Sequence, residues 1–176
     1  MDPNAYLTVP LEEGCNTIKT KSRFYSRTGG ILIMSKPCGT IVAMSEIFGG
    51  ESVSQVAEVI EDYLQSTVYD LKCVVYDDAC HLCKHVKCRC VYEKLKDVEM
   101  KIDRFHFDNH KDAWCKKHMN PATSKYLKNV NTEIVEQLNA WVKGFVPALR
   151  YMKSCNFNFF MLDMIDRHNV SLLNKK

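Results

Sequence analysis

The sequence has no long apolar run. No stretch approaches the ~20 residues that a membrane-spanning helix needs, so no membrane partner is expected. Met1 to Pro10 places Asp2 early and has no apolar core segment, so no secretory leader is expected there. Charge of one sign is lacking too: 24 Lys and Arg against 21 Asp and Glu give a formal net charge of +3. That balance supplies no global basic field that would by itself demand nucleic acid. The local clusters "HKDAWCKKH" and "NKK" read as solvated faces. There is no internal repeat and no low-complexity tract, which argues against solenoid and linker classes. A clean pair of Cys-x2-Cys knuckles is also missing, despite abundant cysteine.

What is present describes a globular chain. It has 176 residues, 46% hydrophobic and 26% charged, enough for one domain with a real core. Nine cysteines, an odd number without a leader, point to a reducing compartment with thiols unbridged, catalytic or metal-bound.

Residues 1–28 are polar and irregular and are expected to form an arm or a truncated first strand. Ile31 to Met34 and Thr40 to Phe48 are apolar β-rich runs joined by "SKPCG", so a hairpin is expected. In "ESVSQVAEVIEDYLQ" the apolar residues Val53, Val56, Val59, Ile60, Tyr63 and Leu64 recur at three and four, which predicts an amphipathic helix capped by Ser52 or Ser54. "LKCVVYDD" reads as a short buried strand ending in Asp77 and Asp78. Strand, strand, helix, strand predicts an α/β domain over 29–176. The segment near Val91 to Met100 is ambiguous between helix and strand. "NTEIVEQLNAWVKGF" predicts a second helix, capped by Asn131 or Thr132 and broken at Pro147. "NFNFFMLDMIDRHN" is apolar on much of its circumference and is expected to pack inside.

Two constellations could carry chemistry. Asp77 and Asp78 close a strand, and Glu133 and Glu136 lie one turn apart on a helix. Convergence of such carboxylates would suit a hard divalent cation, and two such ions can clamp a phosphoryl displacement. Turn chemistry and solvation explain the same residues without metal. The second constellation is the Cys/His-rich insert at about 79–121. Its first part offers Cys80, His81, Cys83, His85, Cys88 and Cys90, with Cys80-x2-Cys83 at chelating spacing. Its second part offers His106, His110, Cys115 and His118 within 13 residues. His106-x3-His110 would place two imidazoles on one helical face, and Cys115-x2-His118 is another chelating pair. Zinc takes four such ligands tetrahedrally, and the second part is the preferred site. Buried thiols and surface histidines are the bland alternative. A nucleophilic pair such as Cys80 with His106 has no family signature around it.

The ordered set "RFYSRTGGILIMSKPCGTIVAMSEIFGGES", "VVYDDACHL", "FHFDNHKDAWCKKHMNP", "NTEIVEQLNAW" and "FNFFMLDMIDRHN" resembles the transposase domain of the Kyakuja–Dileera–Zisupton (KDZ) group, its Kyakuja-like animal members in particular, over roughly residues 13–169. The resemblance implies a ribonuclease-H-like α/β fold, a mixed sheet flanked by helices, with a D-D-E centre that uses Mg²⁺ or Mn²⁺ to cleave and transfer DNA strands in the nucleus. It makes Asp77 the second acid, with Asp78 its fallback, and Glu136 or Glu133 the third. It also implies structural Zn²⁺ in the insert. At the family's first aspartate this chain reads "EEGCNTIK", with Glu13 in that place, and the upstream regions of a full transposase are not part of the sequence. A domesticated or fragmentary copy with degenerate catalysis is therefore expected. The alternative is a zinc-stabilised module that binds DNA or protein and catalyses nothing.

Overall fold

The computed structural model describes residues 29–149 and 151–174. In chain order its elements are β1 (Gly30–Ser35), β2 (Ile41–Ile47), α1 (Val53–Ser66), β3 (Cys73–Val75), α2 (Ala79–Lys87), β4 (Glu99–Lys101), α3 (Arg104–Phe107), α4 (Ala113–His118), α5 (Ile134–Lys143), α6 (Val146–Leu149) and α7 (Ser154–Leu173). Single 3₁₀ turns cover Leu95–Asp97 and Pro121–Thr123. The fold is mixed α/β with helices around small sheets. The described chain forms two compact units, Gly50–Thr132 and a second made of residues 29–49 and 133–174.

In the first unit, β3 and β4 pair in parallel, Cys73 opposite Glu99 and Val75 opposite Lys101. Parallel neighbours need a long crossover, and α2 lies within it. The amide of Tyr76 donates to the Lys101 carbonyl at 3.0 Å, which carries the ladder one residue past β3. Ser52 caps α1 by accepting from the Gln55 amide at 3.3 Å, as the sequence predicts. Val56, Ala57, Ile60 and Leu64 form the buried stripe of α1, and α2 buries Cys80, Leu82, Cys83 and Val86. One carboxylate is buried with them. Glu61 Oε2 accepts from the Leu95 amide at 3.0 Å and Oε1 from the Lys94 amide at 3.4 Å. In return Lys94 Nζ donates to the Leu64 carbonyl near the end of α1, at 2.8 Å. Two otherwise orphaned helix ends thus satisfy each other. The ambiguous stretch 91–100 resolves into the 3₁₀ turn and the start of β4.

In the second unit, β1 and β2 form the expected antiparallel hairpin, with a register irregularity between Met34 and Ser35. Gly39 takes φ +87°, a left-handed turn position that suits glycine. Ile33 and Ile41 from the hairpin pack on Leu138 and Val142 of α5. Asn169 of α7 holds Ile41 by both backbone groups, accepting from its amide and donating to its carbonyl, each at 2.9 Å. His168 donates to the Gly39 carbonyl at 3.1 Å.

Two expectations need correction. Thr132 does not cap α5: its buried hydroxyl accepts from the Arg104 amide, and Glu133 stands at the cap position, where its side chain does not bond the helix end. Nor is α7 internal all round. Phe157, Met161 and Met164 are buried, while Phe159 is 76% exposed and Leu162 and Leu173 also face outward. An all-round apolar composition does not say which side is covered.

Candidate metal centre

Three donors converge in the first unit. Cys80 lies in the first turn of α2, directly after Asp77 and Asp78 in the turn that follows β3. Cys115 is the buried residue of α4. His110 sits in the connection between α3 and α4, and an aspartate starts each of these two helices. Asp103 caps α3 by accepting from the His106 amide at 3.0 Å, and Asp112 caps α4 by accepting from Trp114 at 2.7 Å. α3 ends at Phe107, so His106 and His110 do not share a helical face.

The donor atoms of Cys80, His110 and Cys115 lie within 4.8 Å of one another, and all three residues are buried. Cys80 Sγ is 3.8 Å from His110 Nδ1 and 3.7 Å from His81 Nδ1. Ligands of a tetrahedral zinc ion stand about 3.6 Å apart, from Zn–S near 2.3 Å and Zn–N near 2.0 Å. Both spans therefore fit a Cys/His zinc site with little adjustment. The tautomer fits as well. His110 Nε2 is 3.0 Å from the Asp77 carbonyl oxygen, which can only accept, so Nε2 carries the proton and Nδ1 keeps its lone pair toward the thiols. Asp78, Cys80 and His81 form a second donor group sharing Cys80. Asp78 Oδ1 contacts His81 Nδ1, and that bond is the main cause of the raised His81 pKa. Among the described residues the donor atoms of Asp78 and His81 group with Cys80 alone, not with His110 and Cys115.

The other residues of the insert lie elsewhere. Cys83 is buried in the core and its thiol is pushed up by desolvation. His106 Nδ1 bonds Asp103 Oδ2 at 2.8 Å. His118 packs on the Trp114 ring at 5.1 Å, and burial lowers its pKa. Among the described residues Cys83, His106 and His118 enter neither donor group. Lys84 Nζ, buried, lies 4.9 Å from the centre of the Trp114 ring.

The carboxylates divide between the units. Asp77 is half-buried, and its Oδ1 accepts from the Asp78 amide at 2.7 Å. Burial first, then the charge of Glu51, push its carboxyl above the usual range; the Asp78 amide and His106 oppose this. Glu51 Oε1 accepts from Tyr76 Oη at 2.7 Å. Asp78 is buried against His81 and Cys80. Glu133 and Glu136 are exposed on the second unit. Glu13 lies outside the described residues. Sequence reasoning did not single out Glu51; its one local signal is its place between the glycine pair and the Ser52 cap.

No curated protein and no solved structure shows a significant match to the chain. A family model described as Kyakuja-Dileera-Zisupton transposase matches residues 14–169. With motifs and match covering most of its length, the chain belongs to the KDZ transposase family.

Proposed function

We propose that the chain is a transposase-derived domain of ribonuclease-H-like, D-D-E type, which acts on DNA in the nucleus and is held together locally by structural zinc. The observation that carries the zinc is the Cys80–His110–Cys115 cluster, whose Cys80 lies in the helix that starts just after Asp77 and Asp78. Family membership supports the DNA substrate. In this reading Asp77 is the second acid, with Asp78 committed to His81, and Glu136 or Glu133 is the third. Glu13 stands at the first position. Mg²⁺ or Mn²⁺ on these acids would supply the Lewis acid for strand cleavage. Burial and the charge of Glu51 disfavour the bare Asp77 carboxylate, which a cation beside it would relieve.

A plasmid-nicking assay tests the catalytic half. Mg²⁺- or Mn²⁺-dependent cleavage that falls to background in Asp77→Ala supports the assignment, and cleavage that survives Asp77→Ala removes it. The replacement of the family's aspartate by Glu13 favours a second reading, a zinc-stabilised DNA- or protein-binding module without catalysis. Zinc binding with no nicking by the unaltered chain would select it.

A further inference from the structure

We propose that His110 is a positioning residue that makes the location of Asp77 depend on the bound metal; this rests on the reading of Asp77 as a cation-binding acid. The three carbonyls that follow β3 find different donors. That of Tyr76 accepts from the Ala79 amide at 3.2 Å, and that of Asp78 from the His81 and Leu82 amides at 3.1 Å. These bonds are local and form with the first turn of α2. The Asp77 carbonyl is held from outside the segment, by His110 Nε2, 33 residues away.

The same ring faces the thiols through Nδ1. Its side chain is 1% exposed, so water cannot readily replace either partner. A metal on Nδ1 fixes the ring plane and the tautomer, and by drawing charge from the imidazole it makes Nε2–H a stronger donor. Without the metal, a ring rotation costs less, and the hold on Asp77 loosens. The Asp77 carboxylate follows its backbone, because Oδ1 is tied to the very next amide. Metal at Cys80, His110 and Cys115 therefore pre-orders the acid.

The test uses the full chain with His110→Cys, which offers zinc a thiolate but has no N–H for Asp77. Three quantities are measured: zinc per chain, hydrogen exchange of the amides at 77–79, and Mn²⁺ affinity by electron paramagnetic resonance, with Asp77→Ala as reference. The expected result is retained zinc, faster exchange confined to 77–79, and Mn²⁺ binding weakened about tenfold or more. Retained zinc with unchanged exchange and Mn²⁺ affinity overturns the proposal. Faster exchange in a chain whose Mn²⁺ binding never depended on Asp77 supports the tether and removes instead the assignment of Asp77 as an acid of the cation site. If His110→Cys does not fold, zinc removal from the unaltered chain decides. Exchange at 77–79 should then rise while the interior of α1 stays protected, and no change at 77–79 overturns the proposal.

Discussion

Cysteine accounts for much of the chemistry at the scale of single residues, and its environments differ sharply. Burial, with Glu99 nearby, pushes the Cys73 thiol up to about 11, and burial raises Cys83 as well. A thiol reacts as its thiolate, so both should resist iodoacetamide at pH 8, whereas exposed Cys88, Cys90 and Cys155 should react quickly. Cys80 and Cys115 should be spared in the zinc-loaded chain and labelled after chelation. Mass mapping of the adducts checks this; labelling of Cys80 and Cys115 at the same rate before and after chelation would speak against their being ligands. His106 can be separated from His110 in the same way. Bonded to Asp103 and outside the donor cluster, its replacement by Ala should leave zinc content unchanged, whereas His110→Ala should lower it.

Individual elements are held by a few long-range polar bonds that can be tested one at a time. Asn169→Ala removes both bonds to the Ile41 backbone and should destabilise the hairpin and α7 by about 1–3 kcal/mol, since it leaves buried groups unsatisfied. Glu61→Ala strips the acceptors from Leu95 and Lys94 and should cost about the same. Denaturant titrations measure both. The elements themselves differ in how well the sequence announces them. The hairpin is legible because the turn "SKPCG" joins two β-rich runs, and α1 because its apolar spacing and its Ser52 cap agree. β4 is hidden, since three residues show no period and its pairing with β3 is a matter of tertiary packing. The α3 segment misleads. His106-x3-His110 looks helical, but Asp103 starts a helix of only four residues, and the turn that follows sends His110 to Cys80 instead. The partners of Cys80 lie 30 and 35 residues away, and no local spacing reveals such a pairing. α7 shows the converse: its composition reads as buried, yet Phe159 and Leu162 lie on an uncovered side.

At the scale of the whole molecule, two compact units, a matched family and a Cys/His cluster lead to one account. Among the described residues no helix is long and apolar enough to cross a membrane. The cluster brings together residues of α2, α4 and the connection before α4, short elements of the first unit. A zinc bound there would add to the folding free energy of these elements, so in this account chelation should lower the melting temperature and make it depend on zinc concentration. The family resemblance was legible from the order of motifs, because several fairly specific segments recur in sequence. The donor set was only partly legible, since chelating spacings name more candidates than one tetrahedral ion can use. The most direct measurement is the zinc content of the chain purified under reducing conditions, compared with Cys80→Ala and Cys115→Ala. The account predicts about one zinc per chain, lost in both variants. A chain without zinc, or zinc that survives both replacements, would contradict it.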